Sequence, residues 1–186
     1  DDEGQRVNPE LVRIAKESTR WSDERGRGGR RPRTRDRLTP WRTDVVSALH
    51  DDHLLPGITF IFSRAGCDAA VEQCLGSHLM LTTPEERRQI EDLAESRTAD
   101  LPLEDLAILG YATWREGLRR GVAAHHAGLL PLFKEVVEDL FQRGLIKMVF
   151  ATETLALGIN MPARTVVLER LVKWNDESHV DITPGE

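Results

Sequence analysis

The chain has 186 residues, a length that suits one compact domain with an appended segment. Its apolar fraction of 40% and mean hydropathy of −0.39 are typical of a soluble protein with a core, and no apolar run approaches the ~20 residues of a membrane helix. The net charge of −6 is unevenly placed: residues 1–43 hold 12 Lys and Arg against eight Asp and Glu, and residues 44–186 hold 13 against 23. This excludes a globally basic nucleic-acid binder but not a local basic arm.

Residues 1–40 are predicted to be a connector made of a short helix and a basic segment. Asn8 is a suitable N-cap for that helix, and Pro9 suits its first position. Residues 22–38 contain seven arginines, three glycines and almost no apolar side chain, so we expect them to be mobile because burial cannot offset their ordering entropy. Their composition fits an electrostatic arm for RNA or DNA and a solvated linker equally well.

Residues 41–186 are predicted to form an α/β domain. Four short apolar segments have the composition of buried strands: Ile58–Phe62, Val122–His125, Lys147–Ala151 and Thr165–Leu168. Because segments with helical patterns separate them, the expected fold is a parallel sheet flanked by helices. Helices are expected over residues 39–50, 65–76, 84–98, 102–109, 111–120 and 131–143.

The two cysteines, Cys67 and Cys74, are expected to be free thiols. On one helix, seven residues separate their Cα atoms by ~10.5 Å of rise, whereas a disulfide needs Cα atoms within ~7 Å of each other. Free thiols agree with a reducing compartment, so we expect a cytoplasmic protein.

Three short polar segments follow predicted strands: Ser63-Arg64, His126-Ala127-Gly128 and Thr152-Glu153-Thr154. In an open parallel sheet, ligands bind beyond the carboxyl ends of the strands. Hydroxyls, backbone N–H groups at helix starts and an Arg contact phosphates without reading bases. This edge of the sheet therefore suits a nucleic-acid backbone, although Ser63 and Thr152 could also be helix N-caps and nothing more.

Three strings carry a resemblance to a known family: Phe62-Ser63-Arg64, the eight residues Ala124–Pro131 (AHHAGLLP) and the twelve residues Ala151–Pro162 (ATETLALGINMP). Together they resemble consecutive motifs of the second RecA-like domain of Ski-type DExH-box helicases, and most of all of the bacterial HelY-like members. The resemblance covers about residues 55–186. It implies a RecA-like sheet with a helical insertion, in an ATP-dependent RNA helicase that moves 3′-to-5′.

The resemblance also implies partners and a role for each matching position. The partners are RNA and the first RecA-like domain of the same enzyme, which would hold most of the ATP and Mg²⁺, and no membrane is implied. In the nucleotide-facing part of the third string, Gly158 and Asn160 would lie near ATP. The residues implied to contact the nucleic-acid backbone are Ser63, Arg64, His126, Ala127, Gly128, Thr152 and Glu153.

The complete family has further signatures that these 186 residues do not show. No Lys follows a Gly, so there is no P-loop, and the family's Arg-containing motif would come just beyond Glu186. Asp176-Glu177-Ser178-His179 spells DExH, but it follows the half-polar residues 172–175 and comes after the other motifs, so we interpret it as a surface turn. We therefore expect part of a larger enzyme, with no catalytic residue of its own.

Two alternatives remain open from the sequence. A DNA helicase of the same superfamily would use the same backbone contacts, because only the 2′-OH distinguishes the sugars. A non-catalytic nucleic-acid-binding module could also have this fold. No metal site is expected from protein groups alone, because the adjacent His125 and His126 should point to opposite faces of a strand.

We predict that the 186-residue chain alone does not hydrolyse ATP. The Lys of a P-loop carries the β/γ-phosphate charge and the arginines of the missing motif stabilise the transferred phosphoryl group, and neither is present. Phosphate release under multiple-turnover conditions is the measurement. Release above that of a denatured sample, with contaminating ATPases excluded, would contradict the prediction.

Overall fold

The computed structural model describes residues 40–152, 162–169, 172–174 and 179–181. The chain divides into two units, Asp1–Trp41 and Arg42–Glu186, and the elements below belong to the second. The predicted N-terminal helix, the Arg- and Gly-rich segment and three of the expected site residues lie outside the described residues. Those three are Glu153, Gly158 and Asn160.

A four-stranded parallel sheet is the centre of the domain, as predicted. Its strands are β1 (Gly57–Phe60), β2 (Val122–His125), β3 (Met148–Ala151) and β4 (Thr165–Leu168), in the spatial order β2-β3-β1-β4. The first strand was predicted to end at Phe62, but it ends two residues earlier, at Phe60. Ile61 still donates its N–H to the carbonyl of Ala151 at 2.8 Å, but the chain turns away immediately after it.

The described part of the chain contains six helices beside the sheet. The first begins at Arg42 rather than at residue 39 as predicted, and the other five agree with the predictions to within one residue at each end. No helix in the described part of the chain combines the length and the apolar character needed to cross a bilayer. The helices are α1 (Arg42–Asp51), α2 (Arg64–Leu75), α3 (Pro84–Thr98), α4 (Leu103–Ile108), α5 (Tyr111–Arg120) and α6 (Pro131–Gln142).

One face of the sheet is covered by α3, α5 and α6. Successive residues of a strand point to opposite faces, so Ala123 and Val149 face this layer while their neighbours face the other. Trp114 of α5 stacks on Phe133 of α6 with ring centroids 4.2 Å apart. The aromatic pair joins two helices that come from opposite sides of β2 in the sequence.

The other face is covered by α1 and α2. Val46, Cys67, Cys74 and Phe150 are buried in this layer. Neither Cys67 nor Cys74 forms a disulfide, which confirms the prediction. Burial raises the pKa of the Cys74 thiol to about 11, although Arg42 and Arg120 oppose the effect, so Cys74 packs as a small neutral side chain.

A short antiparallel hairpin, not among the predicted elements, follows the parallel sheet. It consists of β5 (Val172–Trp174) and β6 (His179–Asp181). The Asp176-Glu177-Ser178-His179 string falls here: its first three residues lie outside the described residues, and His179 begins β6. The segment before the string therefore belongs to a separate two-stranded sheet and not to the parallel one.

Helices α3–α5 form an insertion between α2 and β2, and its two ends meet at the amino edge of the sheet. Leu81, which precedes the insertion, donates its N–H to the carbonyl of Arg120, the last residue of α5, at 3.1 Å. Gly121, which follows, accepts from the N–H of Lys147 at 2.8 Å, just before β3 begins. The insertion is thus anchored at the edge opposite to the carboxyl ends of the strands.

The start of α3 is fixed by a capping box and an ion pair. The Thr83 hydroxyl accepts from the Glu86 N–H at 3.2 Å, and the Glu86 carboxylate accepts from the Thr83 N–H at 2.8 Å. The same carboxylate lies 2.6 Å from Lys147 Nζ. Partial burial by itself raises the pKa of Glu86, but the hydrogen bonds from Lys147 and Thr83 outweigh it, and the pKa lies below its ordinary value.

We predict that Glu86 makes the stability of the domain pH-dependent. A carboxyl with a lowered pKa stabilises the folded state above its unfolded-state pKa, and this contribution disappears as the pH falls through the folded-state pKa. Glu86→Gln keeps a capping residue but removes the charge. It should lower the free energy of unfolding at about pH 7, and the difference from the wild type should shrink between about pH 5 and about pH 3.

Urea unfolding at several pH values measures this difference. The matched control is Glu85→Gln, because the Glu85 side chain is exposed and its contact with Arg88 is long, at 3.3 Å. The control should change the free energy of unfolding by less than about 0.5 kcal/mol at each pH. A difference for Glu86→Gln that stays constant with pH would count against the prediction.

Candidate nucleic-acid interface

The carboxyl ends of β1, β3 and β2 lie side by side. The strands pair in register, so that Phe60 lies opposite Ala151, and Ala151 lies opposite His125. Beyond the strands, Thr152 donates its N–H to the carbonyl of His125 at 3.3 Å. The segments that follow the three strands therefore leave the sheet from neighbouring points, and this brings the sequence-predicted site residues of the described part together.

Ser63 and Arg64 stand at the start of α2 and are both exposed. Ser63 is the N-cap, because its Oγ accepts from the Gly66 N–H at 3.2 Å. The Arg64 guanidinium has no hydrogen-bonding or ionic partner within the described residues. The positive charge of Arg64 and the positive end of the 12-residue helix dipole both favour an anion at this position.

The segment after β2 presents its backbone rather than its histidine. The His126 side chain is only 5% exposed, whereas Ala127 and Gly128 are exposed. Gly128 donates its N–H to His126 Nδ1 at 3.1 Å. The Ala127 N–H has no acceptor among the described residues, so it is a donor of this segment that a phosphate could use.

The loops after β1 and β2 also touch each other. A methyl group added to Gly128 would lie 3.5 Å from Arg64 Cδ, so the stem of Arg64 runs along the backbone of Gly128. His126 Nε2 lies 2.9 Å from Asp68 Oδ1, on the second turn of α2. Asp68 was not among the sequence-predicted residues, since no local pattern links it to a histidine 58 residues away.

Thr152 begins the segment after β3 and is buried, with 7% of its surface exposed. The remaining residues expected along this segment, Glu153 with Gly158 and Asn160, lie outside the described residues.

The two adjacent histidines point to different layers, as predicted. His125 Nε2 lies 2.7 Å from the Glu138 carboxylate on α6, whereas His126 contacts α2. Within the described residues, no three His, Cys, Asp or Glu side chains lie close enough together to hold a metal ion. His125 and Glu138 instead connect the end of β2 to the helix that packs on it.

No family model matches the sequence, but several known proteins are similar to it. Over 190 residues and 97% of its length, the chain is 60% identical to the "Probable helicase HelY" of Mycobacterium leprae. The chain is a close homologue of a segment of HelY. It spans about a fifth of HelY, since the alignment covers 20% of that protein.

More distant relatives of HelY and of this chain are Ski2-type DExH-box helicases. The chain is 45% identical, over 79% of its length, to "DExH-box ATP-dependent RNA helicase DExH15 chloroplastic" of Arabidopsis thaliana, and covers 12% of it. It is 37% identical, over 77% of its length, to "Antiviral helicase SKI2" of Saccharomyces cerevisiae, and covers 11% of it. The resemblance in the sequence motifs is therefore confirmed along most of the chain.

We predict that two substitutions of Ser63 separate its capping role from a contact with phosphate. Asn and Asp cap helices about as well as Ser, so Ser63→Asn and Ser63→Asp should both keep the free energy of unfolding within ~0.5 kcal/mol of the wild type. Only Asp adds a charge. At ~4 Å from a phosphate its repulsion is about 1–4 kcal/mol, so Ser63→Asp should bind single-stranded RNA at least about fivefold more weakly than Ser63→Asn.

Fluorescence anisotropy with a labelled oligouridine gives the affinities, and thermal unfolding of the same samples gives the stability. If Ser63 were a cap and nothing else, the two variants would bind the oligonucleotide equally well.

Proposed function

We propose that this chain is the second RecA-like domain of an ATP-dependent 3′-to-5′ RNA helicase, in which residues 41–186 form the domain and residues 1–40 the connector that precedes it. The observation that carries the proposal is the convergence of three polar segments at one edge of a parallel sheet, where Ser63-Arg64, Ala127-Gly128 and Thr152 follow neighbouring strands. Homology to HelY along nearly the whole chain supports the helicase assignment.

The groups offered at this edge suit movement along a strand. The edge provides the Arg64 guanidinium, which has no partner within the described ranges, a backbone donor on Ala127 and hydroxyls on Ser63 and Thr152. Such groups bind phosphates and carry no sequence information. A surface that reads only the repeating backbone finds the same contacts after each step, whereas base-specific contacts would stop the enzyme at particular sequences.

RNA is the proposed substrate because of the relatives and not because of a single residue. DExH15 is named as an RNA helicase, whereas the name of HelY says only that it is a probable helicase. DNA remains the alternative, since backbone contacts are shared by both nucleic acids. A non-catalytic binding module is the other alternative, and ATP hydrolysis by the complete protein would exclude it.

In the complete enzyme, ATP and Mg²⁺ would be held mainly by the first RecA-like domain. We propose that Gly158 and Asn160 face the nucleotide and that Glu153 extends the backbone contacts begun by Thr152. These assignments rest on the matching motif positions. Closure of two such domains around ATP would move one strand-binding edge relative to the other, which is how hydrolysis would be coupled to movement.

Amide chemical shifts of the nitrogen-15-labelled chain, titrated with oligouridine RNA and with DNA of the matching sequence, test the proposed edge. We expect RNA to perturb the amides of Arg64, Ala127, Gly128 and Thr152 and to leave Gly144, near the opposite edge, unchanged. Raising the salt from about 50 to about 200 mM should weaken the effect because phosphate contacts release counterions. Perturbation of the amino edge alone would overturn the proposal, and equal shifts with DNA would favour the DNA alternative.

A further inference from the structure

The buried ring of His126 connects two of the three segments at the proposed interface. On one side, its Nε2 lies 2.9 Å from Asp68 Oδ1 on α2; on the other, its Nδ1 accepts from the Gly128 N–H at 3.1 Å. We call these two hydrogen bonds the His126 bridge. It joins the start of α2, which carries Ser63 and Arg64, to the loop after β2.

The chemistry of the bridge fixes the tautomer of the ring. A backbone N–H can only donate, so Nδ1 must be the accepting nitrogen. In a neutral imidazole the other nitrogen then carries the proton, so Nε2–H donates to the Asp68 carboxylate. Each end of the ring therefore has one defined partner, and neither ring nitrogen is available to a ligand.

We propose that His126 is a positioning residue for nucleic-acid binding, and that it acts through Asp68 and Gly128. The bridge takes up the Gly128 N–H and holds the loop against the stem of Arg64, with the exposed Ala127 N–H open to a phosphate. This inference rests on the proposed function, because it assumes that the carboxyl edge binds the strand.

Asp68 provides a test of the proposal, because two explanations of its role predict opposite changes in RNA affinity when its carboxylate is removed. Its carboxylate lies one turn from Arg64, and its side chain is 53% exposed. If Asp68 acted only through its charge, its removal would strengthen binding to a polyanion such as RNA. If Asp68 holds His126 in place, its removal should weaken binding, because the loop loses its defined position.

The matched pair of variants is Asp68→Ala and Glu72→Ala in the 186-residue chain. Both remove one negative charge from an exposed position of α2, and Glu72 lies one turn further from the start of the helix. We expect Asp68→Ala to reduce the affinity for oligouridine about three- to tenfold, as for the loss of one hydrogen bond. Glu72→Ala should leave the affinity unchanged or slightly higher.

A conservative variant separates the hydrogen bond from the charge. Asp68→Asn keeps an oxygen that can accept from Nε2–H but removes the negative charge, so it should retain wild-type affinity or exceed it. Tighter binding by Asp68→Ala, to the same extent as by Glu72→Ala, would overturn the proposal. So would equal losses in Asp68→Ala and Asp68→Asn, because the charge would then be what matters.

Two spectroscopic readouts test the bridge without RNA. The ring nitrogen shifts of His126 should show a protonated Nε2 and an unprotonated Nδ1, and the Gly128 amide should exchange with solvent at least about tenfold faster in Asp68→Ala than in the wild type. A proton on Nδ1, or unchanged exchange, would overturn the bridge. If the bridge is seen but RNA does not perturb this edge in the wild type, the proposed function fails instead.

Discussion

In-register parallel pairing of three short strands is the constraint on which the rest of this domain depends. Gly57–Phe60 pairs with Met148–Ala151, which pairs with Val122–His125, and all three strands end at the same level. Any shift of one strand by a single residue would turn its buried side chains to the wrong face. The same shift would also separate the polar segments that follow. Core packing and the geometry of the interface are therefore fixed by one set of hydrogen bonds.

Because both faces of β2 and β3 are covered, exposed polar groups near these strands lie at their ends. The four residues of β2 and of β3 are all buried, so nearly every position within these strands is needed for the core. Side chains that bind a ligand can therefore be placed only after a strand ends. This explains why the exposed Ser63, Arg64 and Ala127 all belong to segments that follow strands, and why His126 and Thr152, one residue after their strands, remain buried.

The sequence predicted most of the architecture, because each element carries a local signal. The strands are short apolar runs, and helix α3 begins at a Thr-Pro-Glu-Glu capping box. The hairpin of β5 and β6 was missed because three-residue strands are too short to show a pattern. Helix α1 begins three residues after its predicted start, and no residue pattern in the sequence indicates this later start.

The candidate site was predictable as a set of positions but not as a set of contacts. The motifs identified His126 as part of a contact with the nucleic-acid backbone, but they did not indicate that its ring is buried between Asp68 and Gly128. That arrangement depends on how α2 packs against β2, and Asp68 is 58 residues away in the sequence. Hydrogen bonds between distant segments leave no periodic trace, so they become visible only when the fold is known.

Helices α3–α5 leave and rejoin the chain at nearly the same point, where Leu81 and Arg120 share a backbone hydrogen bond. A segment whose ends are already adjacent can lengthen or shorten at little cost in loop-closure entropy. Its attachment lies at the amino edge, about 10 Å along the strands from the ends that carry the polar segments. An insertion attached there can change in length or shape without displacing the segments that follow β1, β2 and β3.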